Sequence, residues 1–174
     1  RVTIRYGSQV HHLITANDIV NGVTYRYDGK DYDVSAEIVA LGANAIFNAH
    51  ILLNSGDTNP KTGKGLSEQR GTYAYLYFKD LENVGGSSII TANGYMLYDG
   101  DHRRKEAGCI IESSNTPFIR NEPGKWRQMA RFKFIFEDLP DDNNQVVLSD
   151  NFLKPKVQYA GHTSYVDTAM KNLE

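Results

Sequence analysis

The chain has 174 residues, 40% of them hydrophobic, which is enough for one ordinary domain or parts of two and excludes a disordered tail. A formal charge of −2, with acids and bases interspersed, excludes a nucleic-acid stripe and a polybasic membrane patch. The single cysteine, Cys109, excludes an internal disulfide framework and a cysteine-rich zinc site, and leaves the compartment open between cytoplasm and periplasm.

The chain opens on "RVTIRYG", an apparent strand with no leader before it and Arg1 in place of methionine, so the simplest expectation is an excised fragment of something longer. From Arg1 to Leu41 apolar residues alternate with period two between turn residues, which predicts a strand meander. Val10, Leu13 and Ile14 build one strand, Val23, Tyr25 and Tyr27 the next, and Val34, Ala36 and Ile38 the third. Asp28-Gly29 marks a tight hairpin that needs positive φ, and Asn21-Gly22 is either a second turn or a bulge.

The most apolar run, "EIVALGANAIFNAHILLNSGD" from Glu37 to Asp57, changes period midway. "EIVAL" reads as a buried strand, Gly42 breaks it, and from Ala45 the apolar residues Ile46, Ala49 and Leu53 fall on one helical face. Asn44 is placed to cap that helix and Gly56 to end it in the left-handed conformation. No uninterrupted apolar segment reaches the ~18 residues of a membrane helix, and three asparagines and His50 inside this run oppose a span.

Beyond the loop "DTNPKTGKG" the pattern is β again. "TYAYLYF" puts Tyr73, Tyr75 and Tyr77 on one face, "SSIITANGYMLY" and "GCIIESS" read as strands, and "RFKFIFEDLP" sets Phe132, Phe134 and Phe136 opposite Arg131, Lys133 and Glu137. "QVVLSD" and "KPKVQYA" follow as consecutive antiparallel strands. "SYVDTAMKNLE" reads as a helix with a Ser164/Asp167 capping box and an apolar stripe of Val166, Ala169, Met170 and Leu173.

A helix N-terminus after a strand, entered through glycine, can hold an anion, though one glycine is not G-x-G-x-x-G, and the same pattern describes a βα unit packing its helix on a sheet. The five histidines, His11, His12, His50, His102 and His162, show no metal-ligand spacing, and His11 and His12 are expected on opposite faces of their strand, so no metal site is expected. Cys109 reads as a buried inert thiol, and Ser87-Ser88 and Ser113-Ser114 lack a G-x-S-x-G elbow. The Tyr73, Tyr75, Tyr77 ladder could line a pocket for polyhydroxylated ligands or be an ordinary sheet face.

"EIVALGANAIFNAHILLNSG" resembles the second sequence signature of the glucose-methanol-choline oxidoreductases, flavoproteins that oxidise alcohols. The counterparts are Gly42-Ala43, Ile46, Asn48-Ala49, Ile51-Leu52-Leu53 and Ser55-Gly56; Asn48-Ala49 stands where the family has Ser-Pro, and Asp57 where it has an aliphatic residue. "SQVHHL", "GKGLSEQ" and "FEDLPDDNNQVVLSD" are similar to further family segments and occur in the family's order over nearly the whole chain.

The resemblance implies an α+β chain: the C-terminal part of a Rossmann-like FAD-binding domain over residues 1–69, as a β-meander and strand-turn-helix, and an antiparallel substrate domain flanked by helices over 70–174. It implies FAD contacts at Val10, Leu41, Gly42 and Ala43, and offers Tyr73, Tyr75 and Tyr77 as the wall of the substrate cavity. The family's G-x-G-x-x-G would lie before Arg1 and its catalytic histidine after Glu174, so no catalytic residue falls in this chain, which alone is expected to bind no FAD and to be inactive. The implied partners are an alcohol or sugar substrate and an electron acceptor or a homo-oligomer, with no nucleic acid and no membrane span. The competing expectation is a non-catalytic β-rich carbohydrate-binding or interaction module.

Overall fold

The computed structural model describes residues 2–80, 90–114 and 128–173. The fold is α+β and divides into two compact units, Arg1–Leu66 with Pro140–Gly161, and Ser67–Leu139 with His162–Glu174. The division is discontinuous: residues 140–161 return to the first unit, whereas the sequence reading runs a second domain unbroken from 70 to 174.

In the first unit the predicted meander forms as β1 (Gln9–Ala16), β2 (Ile19–Tyr27) and β3 (Lys30–Ser35), antiparallel in the order β1-β2-β3. Asp28 and Gly29 both have positive φ, 48° and 73°, as a two-residue hairpin turn requires. The β1–β2 turn is the same kind of turn built from Asn17 and Asp18, at 52° and 61°, with no glycine to signal it. Pairing passes from Ile14↔Gly22 to Thr15↔Val20, so Asn21 is the extra residue of a bulge.

The helix α1 (Ala45–Asn54) starts at Asn44, whose side chain accepts from Ile46 N and Phe47 N, and ends before Gly56 at φ 80°. The expected buried strand before it does not form. Residues 37–41 have no ladder partner and Ile38 is 87% exposed, because β3 ends at Ser35 and no described strand lies beside 37–41 to receive its hydrogen bonds. The opening segment is likewise outside any strand, with Val2, Ile4 and Tyr6 exposed. The free edge of β1 meets α1 instead: Leu13 N donates to Ser55 Oγ at 2.8 Å, and Ser55 Oγ donates to Ile51 O.

The strands β8 (Gln145–Val147) and β9 (Lys156–Gln158) pair antiparallel as expected, but as a separate two-stranded sheet. Val146 N donates to Gly63 O at 2.7 Å, and Gly63, at φ 80°, would set a Cβ 2.5 Å from Val146 O, so this junction admits only glycine. Asn144, 2% exposed, is fully engaged: it donates to Gly161 O and accepts from Ala160 N.

The second unit is a four-stranded antiparallel sheet in the order β4-β7-β6-β5, formed by β4 (Arg70–Tyr77), β5 (Ile90–Gly94), β6 (Cys109–Ser114) and β7 (Met129–Phe136). Ser87-Ser88 and the start of the strand expected there lie outside the described residues, and the chain leaves the sheet after Gly94. The helix α2 (Ser164–Lys171) buries Val166 and Ala169 against Ala107, Cys109 and Phe136. Burying such side chains is worth roughly 1.5–3 kcal/mol for each large one.

The expected Ser164/Asp167 capping box is absent. The N-cap is Thr163, and Asp167 instead accepts from Arg70 Nη1. Among the described residues no side chain caps the first-turn N–H groups; Asp138, just past β7, fixes the N-cap residue itself, its carboxylate accepting from Thr163 N (3.1 Å) and Thr163 Oγ1 and meeting His162 Nδ1 at 3.2 Å. Burial opposes its charge, but the hydrogen bonds from Thr163, Leu139 N and His162 outweigh it and hold the carboxyl below its ordinary value. Asp138→Ala should therefore cost about 1–2 kcal/mol, read from urea unfolding, while Ser164→Ala should change stability by less than about 0.5 kcal/mol.

Candidate functional site

Leu41, Gly42 and Ala43 form the turn that enters α1, and Asn48 closes it from within the helix. Its Nδ2 donates to Leu41 O at 3.2 Å and its Oδ1 accepts from Ala43 N at 3.0 Å. With Ile46 N and Phe47 N held by Asn44, three of the N–H groups that a bound anion would use are engaged. What stays open is Gly42, which is exposed, has no positive φ, and would place a Cβ with nothing within 4 Å. Among the described residues neither strain nor packing asks for glycine there, so the turn is open on that side. The turn therefore offers an open backbone at Gly42 rather than a crown of free amides. Val10 lies in the same unit on a different element, half-buried in β1 opposite Tyr25.

In the second unit Tyr73, Tyr75 and Tyr77 share one face of β4, at 49%, 41% and 48% exposure. The register places Tyr73 opposite Lys133, Tyr75 opposite Arg131 and Tyr77 opposite Met129. The rings of Tyr73 and Tyr75 are 6.3 Å apart, and the Arg131 guanidinium lies 5.4 Å from the Tyr73 centroid. α2 packs on the opposite face, against Phe134 and Phe136, so among the described residues no helix covers the tyrosines. Beyond α2 the phenylalanine face carries an apolar hollow of about 390 Å³ lined by Leu76, Met96, Ile111, Phe132 and Phe134.

A third place escaped the sequence reading. Pairing jumps from Val10↔Tyr25 to His12↔Thr24, so His11 sits in a bulge and the expected alternation of His11 and His12 fails. Both line one depression of about 350 Å³ with Thr24, Arg26, Asp31, Asn54 and Phe152. Arg26 forks onto Asp31 (2.5 and 2.7 Å), His11 Nε2 lies 3.2 Å from the same carboxylate, and the Arg26 guanidinium and the His11 ring flank the Phe152 ring, at 4.8 and 4.6 Å.

The Arg26 hydrogen bonds, helped by His11 against partial desolvation, bring the Asp31 carboxyl down to about 2. Cys109 is buried and its thiol is pushed up by burial, as an inert core thiol requires. Among the described residues no cluster of His, Cys, Asp or Glu is placed to hold a metal, and no helix is long and apolar enough to cross a membrane. No protein-family model matches the chain, and no curated protein is found to be similar to it.

Because the folded Asp31 carboxyl is more acidic than its unfolded value, its contribution to stability is complete above about pH 4 and fades as pH falls toward 2. Asp31→Asn should flatten the acid limb of stability in that window, measured by urea unfolding at a series of pH values; an unchanged acid limb would show that the pair carries no linkage.

Proposed function

We propose that this chain is part of an FAD-dependent oxidoreductase of the glucose-methanol-choline type, acting on the CH–OH group of an alcohol, sugar or polyol. The observation that carries the reading is the convergence of the four family-like segments. Three of them, "SQVHHL", "EIVALGANAIFNAHILLNSG" and "GKGLSEQ", meet each other or "FEDLPDDNNQVVLSD" through Leu13 N to Ser55 Oγ, Val146 N to Gly63 O, and Leu66 N to Asn144 O. Segments that resemble one family in order also fold onto one another.

On this reading residues 1–69 are the end of an FAD-binding domain, to which 140–161 returns, and the rest of 70–174 belongs to the substrate domain. Gly42, with Leu41 and Ala43, admits the cofactor at its open turn, and Val10 approaches it from β1. FAD, when bound, supplies the hydride acceptor. Tyr73, Tyr75 and Tyr77 form one wall of the substrate cavity, and their exposure on the face away from α2 supports that role. The proton-accepting histidine is assigned outside this chain. The histidines here have other partners: His50 with Phe152 O, His102 with Leu97 O, His162 with Asp138. Electrons leave to an acceptor partner, and a homo-oligomer is the other association the reading allows.

The exposed tyrosines also favour a second reading, a non-catalytic module that binds carbohydrate on the same face. The protein from the complete reading frame containing this chain separates the two. The oxidoreductase should carry one FAD per chain, with visible flavin absorbance that bleaches anaerobically when a sugar or alcohol is added. A folded, colourless protein that binds sugar without redox change would establish the module.

A further inference from the structure

We infer that Asp99-Gly100 is a self-modification site: the Gly100 nitrogen attacks the Asp99 side-chain carboxyl, closes a succinimide, and leaves an isoaspartyl link on hydrolysis. This chemistry is independent of FAD and of the tyrosine face.

Nucleophile and electrophile already touch in the loop between β5 and β6. Gly100 N donates to Asp99 Oδ1 at 2.8 Å, so the side chain is folded back onto the nitrogen of the next residue. Ring closure joins that nitrogen to the carbon bearing this oxygen, and the folded chain holds the two together before the reaction starts. Among the described residues Gly100 N donates to no backbone carbonyl, so no ladder bond has to break. Gly100, at φ 142°, has no side chain to obstruct the approach. Arg103 Nη1, 3.5 Å from the same oxygen, helps to keep it in place, and the Asp99 side chain is 79% exposed, so water reaches the ring that forms.

His102 supplies the base. Its Nε2 meets Leu97 O at 3.1 Å, and a carbonyl only accepts, so the neutral ring donates there and keeps its lone pair on Nδ1. A β-carbon on Gly100 would stand 3.1 Å from that Nδ1, which sets a free base beside the residue whose nitrogen attacks. The bond from Gly100 N to Asp99 Cγ forms and the Cγ–OH bond of the protonated side chain breaks. His102 Nδ1 takes the amide proton and passes it to the departing hydroxyl, which leaves as water. A second water opens the ring: attack at Cγ restores aspartate, and attack at the Asp99 backbone carbonyl carbon leaves the isoaspartyl link, with a methylene added to the backbone. No oxidant or cofactor enters, and the final mass is unchanged. The longer backbone displaces Gly100 O from Arg103 N, its partner at 3.2 Å, in the turn that presents Arg103 to Glu137.

The test is incubation of the 174-residue chain at about pH 6 and about 37 °C, folded and in urea, followed by peptide mapping that separates aspartyl from isoaspartyl forms. Asp28-Gly29 is the internal control, the same dipeptide in a turn where a β-carbon on the glycine would meet nothing within 4 Å, so no imidazole stands beside it. In the folded chain residue 99 should isomerise at least about fivefold faster than residue 28, and the difference should vanish in urea. His102→Gln, with an unchanged circular dichroism spectrum, should slow residue 99 at least about threefold in the folded chain and leave its rate in urea unchanged. No isoaspartyl product at residue 99, equal rates at the two sites in the folded chain, a difference that persists in urea, or a folded-state rate indifferent to His102→Gln would overturn the inference.

Discussion

One carbonyl organises the first unit. Phe152 O accepts from His50 Nε2 at 3.0 Å and from Asn54 Nδ2 at 2.8 Å, so two polar side chains one turn apart on α1 are satisfied by a residue about a hundred positions downstream. His50 is 1% exposed, and a buried polar group without a partner costs about 1–3 kcal/mol, so α1 is viable in this position only when residues 150–153 are seated. The Phe152 ring holds the other side of the joint, between His11 and Arg26, and Gln9 Nε2 donates to Leu153 O. The arrangement leaves one loose end, His50 Nδ1, buried without a partner. It also explains why 140–161 belongs with the N-terminal unit.

The same accounting explains why the most apolar stretch of the chain carries three asparagines and a histidine. Asn44 caps the helix, Asn48 locks the turn before it, and His50 and Asn54 hold the Phe152 carbonyl. Asn48 stands where the resembled family has Ser-Pro, and here its amide closes the 41–43 turn. The second unit uses carboxylates in place of amides. Asp138 holds the N-cap residue of α2 from the end of β7, and Glu137 beside it accepts a forked pair of bonds from Arg103 (2.8 Å each) and one from Gly108 N. Both carboxyls are held below their ordinary values: for Glu137 the Arg103 hydrogen bonds are the largest cause, and burial opposes them.

What could be read in advance was local. The hairpin at Asp28-Gly29, the span and caps of α1, the two faces of β4 and β7, and Val166, Ala169 and Met170 of the α2 stripe follow from spacing and turn chemistry and form as expected, whereas Leu173 lies beyond the helix and is exposed. What could not be read depends on partners far away in sequence. "EIVAL" has the composition of a strand, but strands need neighbours, and none is described beside it. Ser164 and Asp167 have capping-box spacing, but the N-cap is Thr163, held by Asp138, and Arg70 takes Asp167. His11 and His12 meet in one depression only because a bulge shifts the register by one residue. The tyrosine ladder was legible as a face; its cationic neighbours required the β4–β7 register.

We propose that the turn at Gly42 faces FAD. Among the described residues that position is open, so a side chain there should leave the fold intact and obstruct only what approaches from outside. Gly42→Val, made in the protein from the complete reading frame, is the direct measurement: FAD per chain by absorbance, beside the melting temperature of the apoprotein. The account predicts at least a tenfold loss of FAD affinity with the melting temperature unchanged within about 2 °C. Full FAD occupancy in a normally folded variant would contradict it.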